Sequence, residues 1–236
     1  MDFAFAGKVA IVTGAGRGIG RAIALSLAAQ GTAVAACARS QSQLDSLAQE
    51  ILASGRGRCL PLVADVTREE DVCGVVAKTE AGLGAVDILV NNAGGGAIKP
   101  LVDTDMAEWF DTLNVNATSV FLFSREVAKR MIPRRAGRIV NISSIAARRP
   151  VAGIAAYAAS KFAALGLTEV LARELKRHGI RVYSLCPGAV DTELRRAAVP
   201  EEDRSRIMKP EDVAALVTFL VGGGGEGLRE LELEVF

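Results

Sequence analysis

The sequence predicts an α/β fold: a doubly wound, mainly parallel sheet of seven strands with helices on both faces. Three observations predict it. Short apolar runs alternate with longer segments of helical period along the chain, the pattern of a parallel sheet buried on both sides. The first run passes directly into a glycine-rich turn and an alanine-rich helix. No internal repeat or composition break divides the 236 residues, so 1–236 reads as one domain holding every site.

The strands are expected at Val9–Thr13, Ala33–Ala38, Cys59–Ala64, Ile88–Asn91, Arg138–Ile142, Arg181–Leu185 and Glu230–Val235. Between them, helical periodicity covers Ile19–Gln30, Gln41–Ala53, Glu69–Glu80, Met106–Met131, Tyr157–Arg177 and Pro210–Leu220. Right-handed crossovers join such elements into an open sheet that binds ligands at the carboxyl ends of its strands. Gly94–Pro100, Ala146–Gly153 and Glu193–Arg206 read as irregular, and 193–209 as a short substrate loop, either a mobile lid or a solvated segment,. Gly222–Gly225 reads as a flexible link into the last strand.

Composition removes several function classes. A formal net charge of +1 gives no long-range field for nucleic acid or an anionic membrane,. The most apolar helical stretch, Val151–Ala172, is interrupted by Lys161 and Glu169, so no membrane span is expected. The glycine motif begins within twenty residues of Met1, which leaves no room for a secretory signal. The four cysteines, Cys37, Cys59, Cys73 and Cys186, form no C-x-x-C pair. Three of them lie in strand-like runs and read as buried, inert thiols. His178 is the only histidine, which argues against a zinc site or a serine–histidine centre. A soluble cytoplasmic protein without bound metal is the expectation.

The first turn reads Thr13-Gly14-Ala15-Gly16-Arg17-Gly18-Ile19-Gly20. Glycines there let the backbone approach a pyrophosphate, and the helix that follows offers free N–H groups and a favourable dipole. The spacing is G-x-x-x-G-x-G, set between strand and helix, so a Rossmann-type dinucleotide site is expected. No Gly-Lys-Ser/Thr follows, which excludes a phosphate-loop NTPase. The second strand ends Ala38-Arg39-Ser40, where an acidic residue would hold the ribose hydroxyls of NAD,. Arg39 and Arg17 instead favour a 2′-phosphate. NADP(H) is therefore the preferred cofactor, with NAD(H) the alternative.

Tyr157 and Lys161 are four apart on one helix and share a face,. A lysine ammonium beside a phenol favours the phenolate, which suits proton transfer near neutrality. Ser144 stands thirteen residues before Tyr157. Asn91-Asn92-Ala93-Gly94 closes the fourth strand, Asn116 lies in Asn114-Val115-Asn116-Ala117-Thr118, and Cys186-Pro187-Gly188-Ala189-Val190-Asp191-Thr192 follows the sixth strand. In this order and spacing, from about Lys8 to Leu220, the chain resembles the short-chain dehydrogenase/reductase family. It looks most similar to members of the 3-oxoacyl-[acyl-carrier-protein] reductase type.

That resemblance implies roles by position. Tyr157 would be the general acid toward a carbonyl oxygen, and Ser144 would hold that oxygen. Lys161 would bind the nicotinamide ribose and support Tyr157, and Asn116 would anchor a water linking Lys161 to solvent. Gly14, Gly18 and Gly20, with Ile19, would face the pyrophosphate, Arg17, Arg39 and Ser40 the 2′-phosphate, and Asp65 and Val66 the adenine. Asn91, Asn92, Ala93 and Gly94 would border the adenosine ribose, and Pro187, Gly188, Val190 and Thr192 the nicotinamide half. Ser143 and Asn114 read as structural.

Two departures stand out. Tyr183 occupies a position where many members carry asparagine, and the chain ends Leu231-Glu232-Leu233-Glu234-Val235-Phe236 without the usual Asp-Gly-Gly tail. A homodimer or homotetramer is implied by the family, the tail making the tetramer the less secure of the two. The activity implied is reversible, NADPH-dependent reduction of a small-molecule carbonyl, a 3-oxoacyl thioester among the candidates. The alternatives are a catalytically silent NADP-binding sensor or scaffold, and an epimerase or dehydratase, which usually carries a larger substrate domain. Arg130, Arg134, Arg135 and Arg138 form a basic group that either receives an acidic acyl carrier or is a solvated helix end.

Overall fold

The computed structural model describes residues 5–224 and 232–235. Seven strands form one sheet in the order β3-β2-β1-β4-β5-β6-β7: β1 Val9–Thr13, β2 Ala33–Ala38, β3 Arg58–Val63, β4 Ile88–Asn91, β5 Gly137–Ile142, β6 Ile180–Pro187 and β7 Glu232–Val235. Every pairing is parallel, where the sequence had called for a mainly parallel sheet. Glu230 and Leu231 of the expected last strand, and Gly225 of the expected link, lie outside the described residues.

Strand side chains alternate between two cores, as a period of two requires. Ala10, Val12, Ile88, Val90, Val140 and Ile142 face one apolar layer, and Ile11, Leu89 and Ile139 face the other. The first layer is closed by α1 Gly18–Ala29, α2 Gln41–Ala53 and α8 Pro210–Val221. The second is closed by α3 Glu69–Gly82, α5 Ser119–Arg134 and α6 Ala155–Lys176. The chain winds from β1 to β2 and β3 on one side, then returns to place β4 on the other. That reversal opens a crevice at the carboxyl ends of β1 and β4.

Three elements differ from the sequence expectation. The helix expected over Met106–Met131 is broken: α4 covers Met106–Leu113, Asn114–Thr118 forms a π turn, and α5 resumes at Ser119. The extra residue in that turn re-aims the side chains within it. The expected loop Glu193–Arg206 contains a short helix, α7 Glu193–Ala198, and a 3₁₀ turn, Arg204–Arg206. The third difference is at Cys59: Cys37 and Cys186 are buried as expected, but Cys59 is partly exposed because β3 is the edge strand. None of the four cysteines is in a disulfide.

Candidate active site

A cleft of about 1050 Å³ follows the crevice from Arg39 and Ser40, past the glycine loop, to Tyr157 and Lys161. Its floor is the turn after β1. Gly14 has φ 64°, and a side chain on it would stand 2.9 Å from Ala93 Cα, so the loop lies directly on the end of β4. A side chain on Gly20 would run into Gly14 O, which makes Gly20 a packing position beneath the loop rather than part of the cleft wall. Helix α1 begins at Gly18 after Arg17, with no side-chain cap and no acidic residue in its first turn. Its leading N–H groups are thus free of side-chain partners, as a pyrophosphate cradle requires.

The loop is held by residues of β1 and β4. Asn92 Nδ2 donates to Thr13 O at 2.9 Å and to Gly14 O at 3.3 Å. Thr13 Oγ1 accepts from the N–H groups of Asn92 (2.9 Å) and Ala93 (3.0 Å). Thr13 was not singled out in the sequence, and a threonine ending a buried strand before the glycines was the available signal. Asn91 is turned away from the cleft, contrary to expectation. Its Nδ2 donates to Asn141 Oδ1 (2.8 Å) and Ser124 Oγ (3.1 Å), and Asn141 Nδ2 donates to Thr168 Oγ1 at 2.8 Å. This buried chain of amides ties β4 and β5 to α5 and α6.

At the adenosine end, Arg39 is exposed and, among the described residues, forms no hydrogen bond or ion pair. Arg17 Nη1 lies 2.9 Å from Glu193 Oε2 across the mouth. Ser40 caps α2 by accepting from Gln43 N, and Gln43, which sequence reasoning passed over, lines the same wall. The Asp65 carboxylate accepts from Thr67 N (2.9 Å) and Thr67 Oγ1 (2.7 Å). Those bonds, the backbone one first, hold it below its ordinary carboxylate range. Asp65 therefore shapes the turn after β3, while Val66 is buried against the cleft.

At the other end, Tyr157 and Lys161 project from α6 into the cleft. Lys161 is buried, donates from Nζ to Ile142 O at 3.0 Å, and sits 5.6 Å from the centre of the Tyr157 ring. Ser144 caps the 3₁₀ turn Ile145–Ala147, its Oγ accepting from Ala146 N at 3.1 Å. It is half-buried beside the cleft, whose wall takes Ser143. Asn116, buried in the π turn, accepts from Gly95 N (3.1 Å) and donates to Gly95 O (2.6 Å) and Thr112 O (2.9 Å). Its side chain thus clamps the loop after β4 instead of facing the cleft.

The last wall is α7. Thr192 caps this helix and lines the cleft together with Glu193 and Leu194. Arg195 binds Glu202 through Nε (2.7 Å) and Nη2 (2.6 Å), and Arg196 binds Asp191 at 2.7 and 2.9 Å. The Arg195 hydrogen bond is the main reason the Glu202 carboxyl lies below its ordinary range. Pro187, Gly188 and Val190 are not in the cleft wall, and Val190 is buried and bridged to Met208.

The sequence matches the family model described as short chain dehydrogenase over residues 8–203. The chain belongs to the short-chain dehydrogenase/reductase family. A 3-oxoacyl-[acyl-carrier-protein] reductase of Escherichia coli (strain K12) is 39% identical over 204 residues, covering 86% of this chain and 82% of the relative. A 2,3-dihydro-2,3-dihydroxybenzoate dehydrogenase of Bacillus subtilis (strain 168) is 37% identical over 239 aligned residues, covering 92% and 90%. Among solved structures, a variant of actinorhodin polyketide ketoreductase with NADPH superposes with TM-score 0.92 at 32% identity, over 100% of this chain and 97% of that one. This short-chain dehydrogenase/reductase is an NAD(P)-dependent oxidoreductase acting on small molecules, with carbonyl reduction as its general chemistry. Among the described residues, no helix is long and apolar enough to cross a membrane, and no group of His, Cys, Asp and Glu is placed to hold a metal.

Proposed function

We propose that this enzyme reduces a ketone to a secondary alcohol with NADPH, reversibly, within one domain that carries both sites. The observation that carries the reading is the cleft with exposed Arg39 at one end and Tyr157 and Lys161 at the other. Arg39 and Ser40 are the 2′-phosphate contacts. Arg17 joins them by giving up Glu193. Gly14, Gly18 and Ile19 border the pyrophosphate, Val66 the adenine, Asn92, Ala93 and Gly94 the adenosine ribose, and Thr192 the nicotinamide side. Asp65, Gly20, Pro187, Gly188 and Val190 support that wall from behind. When bound, the cofactor supplies the hydride.

The protein then orients the carbonyl and delivers a proton. Ser144 Oγ already accepts from Ala146 N, so its own hydrogen is available to the substrate oxygen. Tyr157 hands its phenolic proton to the oxygen as negative charge develops there. Lys161 has one of its three N–H bonds occupied by Ile142 O, which leaves two for the nicotinamide ribose and for Tyr157. Asn116 serves the proton relay by fixing the loop that lies over Lys161.

A 3-oxoacyl thioester is one candidate substrate, supported by the name of the Escherichia coli relative. The basic group, left open between an acyl-carrier contact and a solvated helix end, adds no support. Arg130 pairs with Glu80 and Glu126, Arg134 with Asp87, Arg135 donates to Arg177 O, and Arg138 is buried. A homodimer or homotetramer is proposed from the family resemblance, with the exposed Phe110, Phe121, Phe162 and Val170 on α4, α5 and α6 as the candidate interface side chains. The four free thiols suit the cytoplasm,.

The test is a panel of ketones and 3-oxoacyl thioesters followed by NADPH absorbance in wild type and Tyr157→Phe. The variant keeps the ring and loses the proton donor, so turnover should fall by about 10²–10⁴ with NADPH affinity nearly unchanged. Near-normal turnover of Tyr157→Phe on any substrate the wild type reduces would rule out this mechanism.

A further inference from the structure

Side chains of the second apolar layer turn polar as β4 and β5 approach the active site. Leu89 and Ile139 belong to that layer. Two residues on, and so facing the same way, come Asn91 and Asn141, 4% and 1% exposed. Asn141 Oδ1 accepts from Asn91 Nδ2 at 2.8 Å, and Asn141 Nδ2 donates to Thr168 Oγ1 of α6, also at 2.8 Å. The Thr168 hydroxyl gives its own hydrogen to Ala164 O at 2.7 Å, which leaves its oxygen as the acceptor for Asn141. Thr168 is buried. It lies seven residues, about two turns, beyond Lys161 and on the same stripe of the helix.

Three consecutive residues thus hold one helix. Asn141 bonds Thr168, Ile142 O accepts from Lys161 Nζ at 3.0 Å, and Ser143 Oγ reaches Lys161 O at 3.5 Å. The start of α6, which carries Tyr157, has no side-chain cap to anchor it. Stability does not explain the first of the three contacts. Asparagine is a poor strand former, and threonine loses side-chain freedom in a helix. A neutral hydrogen bond in a core is worth little net of desolvation, and an apolar pair of the same shape does as well. What an apolar pair cannot do is fix one helix height, because burial has no direction. A hydrogen bond has one, and it weakens steeply when its geometry is lost.

We infer that Asn141 and Thr168 are positioning residues for proton transfer. Their hydrogen bond sets the height of α6 against β5, and with it the place of the Lys161 ammonium beside Tyr157. Neither side chain lines the cleft, so both act through α6. The part the pair plays in turnover rests on the proton-transfer reading above, whereas its hold on Lys161 and Tyr157 does not.

The experiment compares three variants with the wild type. Thr168→Val keeps the shape and loses the hydroxyl, Thr168→Ser keeps the hydroxyl, and Asn141→Leu/Thr168→Val makes both partners apolar. Two properties are read besides the melting temperature. Tyrosinate absorbance gives the ionisation midpoint of Tyr157 with no substrate present; the chain has two tyrosines, and Tyr157→Phe supplies the blank. Turnover is measured with NADPH on whichever ketone of the panel above the wild type reduces fastest. In Thr168→Val the midpoint should rise by roughly 0.3 in pH for each ångström that the ammonium retreats from its 5.6 Å separation from the ring,. Its kcat should fall by about 10- to 100-fold, with KM for the ketone within about twofold. Thr168→Ser should match the wild type in both. The double variant should regain much of the melting temperature that Thr168→Val loses, because Asn91 still bonds Ser124 and no group at 141 or 168 is left unpaired,. It should nevertheless keep the raised midpoint and the low kcat, whereas a role in packing alone would restore all three together. Should Thr168→Val fold poorly, the double variant decides. A wild-type midpoint in the folded double variant, or a midpoint raised as much by Thr168→Ser as by Thr168→Val, overturns the inference. If no ketone is reduced while the midpoint moves as stated, the reductase reading fails and the positioning stands.

Discussion

Gly94→Ala concentrates the logic of the site in one methyl group. The new Cβ would sit 2.5 Å from Asn116 Oδ1, so that oxygen has to retreat by roughly 1 Å to reach contact distance. A flexible surface amide could do so at little cost, but Asn116 is 1% exposed and bonded to Gly95 N, Gly95 O and Thr112 O. Losing the two bonds to Gly95 costs about 1–3 kcal/mol at ordinary net values. For a chain of this size that lowers the melting temperature by roughly 2–4 °C per kcal/mol. The methyl group also lies 3.2 Å from Lys161 Nζ, and a displacement of about 1 Å in a catalytic group can cost on the order of 10² in rate. Differential scanning fluorimetry and steady-state kinetics measure both effects. Gly95→Ala, whose methyl group meets only Leu194 at 3.9 Å, is the control and should melt within about 1 °C of wild type. Equal melting temperatures and equal turnover in Gly94→Ala and wild type would refute the clamp.

Arg39→Ala should weaken NADPH binding by about 10- to 150-fold, the worth of a charge-assisted contact of roughly 1.5–3 kcal/mol, and leave NADH within about threefold; equal wild-type affinities for the two cofactors in a fluorescence titration would sink the assignment. Burial, with help from Asp71 and Asp65, pushes the Cys37 thiol up to about 12, and burial alone pushes Cys59 to about 11. With a thiol reagent at pH 8, the partly exposed Cys59 and Cys73 should therefore label ahead of the buried Cys37 and Cys186,, and native-state labelling of Cys37 at the rate of Cys59 would contradict the strand assignment. The depressed carboxyl of Glu202 stabilises the segment around α7 above the ordinary glutamate range near 4.3, and that contribution disappears as pH falls through the lower folded value,. A spin label at Ala198→Cys should thus keep constant mobility from pH 8 to 5 and loosen only below about pH 4, with circular dichroism reporting on the global fold. Glu202→Gln should be loose throughout, and an unchanged spectrum in that variant would show that the ion pair does not hold α7.

What the sequence made legible was whatever backbone periodicity controls. Strands β1, β2 and β4 and helix α2 fall where predicted because apolar runs buried on both faces leave little choice of register. Tyr157 and Lys161 share a cleft wall because four residues make about one helical turn. Side-chain direction at bends was not legible. Asn116 was assigned to a water, yet the π turn aims its amide at Gly95, and no apolar period marks a π turn inside a helix. The ion pairs of α7 escaped for a related reason. Arg195, Arg196 and Glu202 lay in a segment read as irregular until the chain brings 195 against 202 and 196 against Asp191.

The division between legible chemistry and illegible substrate has a physical origin in this fold. Tyr157 and Lys161 hang from a 22-residue helix, and Thr13, Asn92 and Ser144 stand at or just beyond strand ends. Packing of two cores against one sheet fixes all five positions to within the play of a side chain. On the proposed reading a substrate would meet the segments 94–100, 146–153 and 193–206, which are joined by single hydrogen bonds and exposed ion pairs. Such contacts are individually worth about 1 kcal/mol or less, so those segments can shift by ångströms without disturbing the catalytic set. A ketone's shape is therefore read by the part of the molecule that the core constrains least, while its carbonyl is read by the part constrained most. Exchanging loop residues should change which ketone is reduced long before it changes how the proton is delivered.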